Sequence, residues 1–313
     1  MEFFSKKTSI DFLGRRKGAF LLSAVLMVGS LILLIPGVRG LNFGIDFTGG
    51  VLLEMGYQGP ADLADIRERL VANGFAEAQV QNFGTSSDVL IRILPREGLA
   101  GDAIGAQILK VLKAGDATAE LRRTEFVGPQ VGEELTEQGA LAMLFALLMI
   151  LAYIVVRFQW KFALGAIVAT LHDPIITLGV FALLGLTFDL SVLAAMLAVI
   201  GYSVNDTIVV FDRIRENFRK IRRGTPHDII NLSVNETLSR TLMTSFTTSL
   251  VVVCMLIFGG ETLRGFSTAL IIGIVIGTYS SIFVASALAL ELKAAPVDLM
   301  PPAKDKTALD SEP

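Results

Sequence analysis

Six stretches of this chain are long and apolar enough to cross a lipid bilayer, and they decide what it can fold into. They run over about residues 19–38, 139–156, 162–184, 190–211, 242–258 and 266–290. A spanning helix needs about 20 mainly apolar residues, because hydrocarbon offers no partner for a free peptide group. Composition agrees: 18% of the residues are charged, against about 25% in soluble domains. The first stretch could pass for a signal peptide. Its apolar core is too long for that, and "GVRGLNFG" offers no small-x-small cleavage site, so it reads as an uncleaved anchor. The net charge of -3 gives no sign of a nucleic-acid partner. A single cysteine, Cys254 in "LVVVCMLIF", allows no intrachain disulfide. His172 and His227 are far apart, and no Cys/His cluster has metal-ligand spacing, so neither a metal nor a cofactor is expected.

Lys and Arg in short loops set orientation. Lys6, Lys7, Arg15, Arg16 and Lys17 precede the first span, Arg157 and Lys161 bracket the second and third, and Arg213, Arg215, Arg219, Lys220, Arg222 and Arg223 follow the fourth. The other side has "GLTFD" and "GGETLRG", with Arg264 alone. Both termini are therefore expected in the cytoplasm. The basic run "RIRENFRKIRR" reads as a positive-inside loop on anionic headgroups, making membrane lipid a contact and nucleic acid no partner. After it, Thr225, Pro226 and Asp228 have the pattern of an N-cap, first helical residue and capping-box acid. That helix either lies at the interface and turns in, or continues as the fifth span.

Between the first two spans lie about a hundred residues, enough for a small domain. "VLLEMGY", "AQVQNFG", "DVLIRIL" and "AELRRTEFVG" read as strands, with a turn at "GTSS" joining the middle two. "PADLADIRERLVAN" and "GDAIGAQILKVLKAG" read as amphipathic helices. The order β-α-β-β-α-β is the ferredoxin-like one. The fold class expected is thus an α-helical membrane protein with six transmembrane helices plus a small α+β ferredoxin-like extracytoplasmic domain. Its divisions are a cytoplasmic N-terminal segment (1–18), the first helix (19–38), the extracytoplasmic domain (39–137), a five-helix region (138–292) with a basic loop at 213–234, and a cytoplasmic tail (293–313). No nucleophile–base pair stands out, so an enzyme is not expected. In "GIDFTGG", with Gly44, Asp46, Gly49 and Gly50, a strand follows where a phosphate loop would need Lys-Ser/Thr and a helix. A structural backbone bend remains.

Ionisable groups inside spans are candidate sites, since each costs a few kcal/mol near the helix centre. Asp206 lies seven residues before Arg213, about 10 Å inward at 1.5 Å per residue, with Tyr202 and Ser203 one turn away. Arg240 opens "RTLMTSFTTSLVVV" on the antiparallel fifth span, at similar depth, with Thr244, Thr247 and Thr248 on its face. Such a carboxyl is held between desolvation, which favours the neutral acid, and a nearby guanidinium, which favours the carboxylate. That balance suits proton coupling; a structural ion pair is the rival reading. His172 and Asp173, beside Pro174, suit either a proton or water route or a hydrogen-bonded kink. Gly273 and Gly277 form a close-packing face.

Taken together, "GIDFTGG" after the first span, "GYSVNDTIVVFDRIREN" in the fourth and "SRTLMTS" in the fifth resemble the SecD/SecF family of bacterial protein-export membrane proteins, related to the resistance-nodulation-division transporters. The resemblance covers essentially the whole chain. It implies a cytoplasmic (inner) membrane protein whose partner is SecD, with a matching six-span half. Together they would use proton-motive force to help exported polypeptide chains leave the SecYEG translocon and its accessory membrane subunits. The family's intramembrane Asp and Arg map onto Asp206 and Arg240. Half of a proton-driven small-molecule exporter, and a passive translocon-stabilising scaffold, are the alternatives.

Overall fold

The computed structural model describes residues 8–94, 101–221 and 223–295; Lys6, Lys7, Arg222 and the tail beyond residue 295 lie outside them. A 3₁₀ turn, Leu13–Arg15, leads into helix α1, Arg16–Leu34, which stops where Pro36 forces Ile35 into extended backbone. Strand β1 (Asn42–Phe43) and a one-turn helix α2 (Ile45–Thr48) then hand over to the sheet domain. That domain comprises β2 (Gly50–Gly56), α3 (Leu63–Ala72), β3 (Gln79–Phe83), β4 (Thr85–Ile93), α4 (Gly101–Lys113) and β5 (Glu120–Val127). The remaining helices are α5 (Pro129–Arg157), α6 (Trp160–Leu184), α7 (Leu190–Lys220), α8 (Pro226–Phe258) and α9 (Gly260–Tyr279), with β6 (Thr187–Phe188) before α7. A π-helical turn, Ser280–Ala285, joins α9 to α10 (Ser286–Glu291).

The β-α-β-β-α-β order is as expected, and the sheet runs β3-β4-β2-β5 with every neighbouring pair antiparallel. Val51, Leu53 and Met55 alternate inward on β2 and meet Ile66 and Leu70 of α3 and Ile104 and Ile108 of α4. The opposite face of the sheet looks towards the bundle. The turn expected at Gly84–Ser87 is tighter: Phe83 pairs with Thr85 around Gly84, whose φ is +77°.

Among the described residues, six helical segments have the length and hydropathy of spans, counting α9 through α10 as one. In the third, fourth and sixth spans at least half of the apolar window is buried, against 17% or less in the others. So α6, α7 and α9 form the centre. Several helices outrun their apolar windows. The fifth span takes the continuous option: α8 is one helix, started by the expected capping box, in which Asp228 N donates to Thr225 Oγ1 (3.2 Å) and Thr225 N to Asp228 Oδ2 (3.1 Å). Polar pairs hold α7 and α8 together beyond the apolar zone, with Arg213 Nε donating to Glu236 at 2.6 Å and Asn217 to Ser233 at 2.9 Å. A glycine seam packs α9 against α7: added Cβ atoms would lie 2.9 Å from Val192 at Gly265 and 3.1 Å from Ser203 at Gly277, and would overlap Val199 at Gly273. The rising order on both helices shows that they run parallel, and Gly273 and Gly277 supply the close-packing face expected of them.

Candidate functional site inside the bundle

Asp206 is 4% exposed on the inward face of α7. Across the interface the hydroxyl of Thr241 on α8 approaches its carboxyl without reaching hydrogen-bond geometry. Asp206 Oδ2, Thr207 Oγ1 and Thr241 Oγ1 are all buried with no hydrogen-bond partner among the described residues. Buried polar atoms are nearly always paired, so three together mark an unusual place.

Arg240 has the depth the sequence suggested, one residue before Thr241, but it is exposed on another face of α8. Among the described residues no salt bridge joins it to Asp206. One residue rotates a helical side chain by about 100°, which is enough to separate the two. The hydroxyl stripe is also quieter than expected. Thr244 donates back to Arg240 O (3.1 Å) and Thr247 to Met243 O (2.8 Å), both on exposed positions, while Thr248 is half-buried. The hydroxyls of Thr244 and Thr247 satisfy their own helix. Tyr202 donates to Ser245 on α8 (2.9 Å), which bonds Thr278 on α9 (2.7 Å).

The densest polar cluster surrounds Asp173, which is fully buried on α6. Its Oδ1 meets His172 Nδ1 at 2.8 Å. Its Oδ2 accepts from Ser280 Oγ at 2.8 Å and from Ser203 Oγ of α7 in a very short bond. His172 Nε2 has no hydrogen-bond partner, and the ring stacks on Tyr279 with centroids 6.4 Å apart. Tyr279 in turn donates to Ala19 O of α1 at 2.8 Å and bonds Ser23 at 3.1 Å. Ser280 opens the π-helical turn, a form that recurs at functional sites. Ser203 and Asp206 sit one turn apart, so the two acids flank one stretch of α7 (about 4.5 Å apart along its axis). Thr241, Tyr279 and Ser280 were missed from the sequence. The polar run Thr278–Ser281 inside an apolar span was the available signal.

The glycine motif is a joint. Gly49 (φ +66°) ends α2, and a side chain on Gly50 (φ +122°) would overlap the Ile93 carbonyl. Asp46 Oδ2 accepts from Leu190 N, the first residue of α7, at 2.9 Å, and Gly44 N donates to Phe188 O at 2.8 Å. No cluster of three or more His, Cys, Asp or Glu able to hold a metal occurs among the described residues.

Fold and site together define a polytopic membrane protein with acidic groups enclosed by its central helices. Residues 107–295 match the family model for the protein export membrane protein SecD/SecF, C-terminal, and residues 35–61 match the SecD/SecF GG motif. The chain is 52% identical to protein translocase subunit SecF of Vibrio alginolyticus over 299 residues, covering 95% of this chain and 94% of that one. With the subunit of the same name from Escherichia coli O157:H7 it shares 49% over 284 residues, covering 90% and 87%. A crystal structure of SecDF, a translocon-associated membrane protein from Thermus thermophilus, superimposes with a TM-score of 0.84 at 35% identity. SecDF in a super-membrane-facing form gives 0.66 at 36%. Each comparison covers 93% of this chain, which spans 40% of the SecDF length. The chain belongs to the SecD/SecF family of protein-export membrane proteins. It is a multi-pass protein of the bacterial inner membrane with a role in Sec protein translocation.

Proposed function

We propose that this chain is one six-span half of a proton-driven machine that, with SecD, promotes export of polypeptides from the SecYEG translocon. The observation that carries the reading is Asp206: a carboxyl enclosed between spans, with one oxygen making no hydrogen bond and no cation paired with it among the described residues. A carboxyl with a free oxygen can exchange a proton without breaking a contact, and so can bias the packing of α7 against α8. Arg240 supports a partner half. A guanidinium facing hydrocarbon is costly, and Arg240 shares its α8 face with exposed Val251, so a second bundle covering that face would shelter both. We assign Asp206 and Arg240 to proton coupling on this basis, Arg240 acting across that interface. His172, Asp173, Tyr202 and Ser203 are assigned to a supporting hydrogen-bonded route.

Arg157, Lys161, Arg213, Arg215, Arg219 and Lys220 gather at the bundle end remote from the sheet domain. This supports cytoplasmic termini, a cytoplasmic basic loop on anionic lipid, and an extracytoplasmic sheet domain, which we class as ferredoxin-like from its antiparallel β3-β4-β2-β5 order. The test is proton-driven export in vesicles carrying Asp206→Asn, with subunit levels matched. Asparagine cannot exchange a proton at this position, so the response to proton-motive force should vanish while assembly persists. Wild-type coupling in the assembled variant would return the chain to the scaffold reading.

A further inference from the structure

The sheet domain is fastened to the start of the helix that carries Asp206. Four kinds of contact meet there. The parallel pairs Asn42↔Thr187 and Phe43↔Phe188 join β1 to β6, although 145 residues separate them in sequence. Rings of Phe43, Phe47 and Phe188 close over this pair, with Phe47 stacked on Phe188 at 5.7 Å and Phe43 edge-on to it at 5.9 Å. Arg92 of β4 donates to Thr48 at 2.8 Å, tying α2 back to the sheet. Finally, two carboxylates cap α7. Asp189 accepts from Val192 N at 2.8 Å, and Asp46 accepts from Leu190 N at 2.9 Å. A helix N-terminus presents unpaired N–H groups and positive potential, so a carboxylate from another element is a strong anchor. Asp189 belongs to α7's own chain segment; Asp46 belongs to the sheet-domain side. It is the charged link between the two bodies at this point.

We infer that Asp46 is a positioning residue that makes α7 and the sheet domain one mechanical body, so that a shift of α7 at Asp206 is carried about 24 Å along the helix into the sheet domain. The joint stays closed throughout the cycle. Two features favour a permanent joint over a latch. It combines backbone pairing, aromatic packing and capping, which would all have to break together. The backbone here also has no room to slide, since a side chain at Gly44 would lie 3.0 Å from Asp189 Cβ and one at Gly132 2.8 Å from Gly49 N. The inference rests on the reading that proton exchange at Asp206 moves α7.

The experiment uses the full chain in its reconstituted export complex, with Cys254→Ser as background. Asp46→Ala removes the cap, and Asp46→Asn keeps an oxygen acceptor for Leu190 N. Export driven by proton-motive force and proton uptake by the vesicles are read separately. Asp46→Ala should lose at least tenfold in driven export while proton uptake stays within about twofold of the parent, and Asp46→Asn should recover most of the loss. A fold defect would lower both readouts alike, and Asn42→Cys/Thr187→Cys covers that case by joining the paired strands covalently. Oxidised, it should leave driven export intact and should rescue Asp46→Ala; reduction should reverse the rescue. Loss of export on oxidation with Asp46 in place would overturn the inference, because the joint would then have to open. So would full coupling in Asp46→Ala. Asp206→Asn measured in parallel separates the two failures: if it stays coupled, the proton reading fails; if only the Asp46 variants stay coupled, the joint fails.

Discussion

Asp206 and Thr241 meet across the antiparallel α7–α8 interface, while Arg240, one residue earlier, is turned to the exposed face of α8. The hydroxyl, not the guanidinium, is therefore the group of α8 that faces the Asp206 carboxyl. Thr241→Val keeps the shape and deletes the hydroxyl. It should leave assembly unchanged and shift the proton-motive force needed for half-maximal export, with a change in driven rate of up to about tenfold at fixed force. Thr244→Val and Thr247→Val are the controls. Their hydroxyls bond their own helix carbonyls, and their export should match the parent. Equal effects at all three threonines would remove Thr241 from the site.

Asp173 joins three helical segments, α6, α7 and the π-helical turn, and its loss should be felt in stability first. Asp173→Ala would leave His172, Ser203 and Ser280 without their shared acceptor in a buried setting. Each buried polar group left without its partner costs about 1–3 kcal/mol, so the chain should melt early and accumulate poorly. Ser280→Ala removes one of several donors and should cost about 1 kcal/mol. Thermal melting of the detergent-solubilised protein compares them. Equal stability of Asp173→Ala and the parent would show that the cluster is not holding the bundle.

How far the sequence was legible follows from the kind of signal each feature leaves. Span number, the capping box at Thr225 and the strand–helix order of the outer domain come from local pattern, and all are present. The depth match of Asp206 with Arg240 came from counting rise per residue, which is also local. The face of Arg240 was not legible, because Thr241, Thr244, Ser245, Thr247 and Thr248 spread hydroxyls over several sides of α8 and its periodicity marks no buried side. The β1–β6 pairing joins two dipeptides far apart in sequence, with no turn or alternation to announce it. Asp46 was read as part of a bend; its role as a cap on α7 depends on that pairing. The π-turn has no residue signature, although Thr278, Tyr279, Ser280 and Ser281 in one apolar span did mark where polar groups gather.

Orientation is open to a direct test. A cysteine at Ser86, exposed near the β3–β4 turn, should react with an impermeant thiol reagent added outside intact cells, and one at Arg219 should not. Cys254 is exposed in the fifth span and is first replaced by serine. Both sites are accessible in the fold, so the contrast reads sidedness rather than burial. Reversed labelling would invert the topology.

Tyr57 gives the sheet domain a pH signature. Its hydroxyl is buried without a partner, and burial, together with the charges of Asp116 and Asp65, pushes its pKa from 10.0 up to about 12. The folded state thus holds the phenol proton more tightly than the unfolded chain. The corresponding stability is fully present below pH 10.0 and is lost as the pH rises towards about 12. Tyr57→Phe deletes both the titration and the unpaired hydroxyl. It should be neutral or stabilising by about 1 kcal/mol at neutral pH, with a shallower loss in alkali. Amide exchange of β2 read from neutral pH to about pH 11 checks it; parallel curves for variant and parent would exclude Tyr57 as the cause.

The α7–α9 seam should tolerate no added atom unless its neighbour gives one up. A Cβ at Gly273 overlaps Val199, whereas one at Gly277 sits 3.1 Å from Ser203 Cβ and needs only a small shift. Gly273→Ala should therefore be the worse substitution, costing about 1–3 kcal/mol through overpacking, even though alanine is the better helix former. Pushing α9 outward would also draw Ser280 from Asp173, so the damage would reach the polar cluster two turns away. Val199→Ala opens the space that the new methyl needs. The double variant Gly273→Ala/Val199→Ala should melt above Gly273→Ala alone, a coupling of the size seen between residues in contact (about 0.5–3 kcal/mol). Melting of all four proteins in one detergent gives the cycle. Simple additivity would mean that the two helices do not meet where the structure places them.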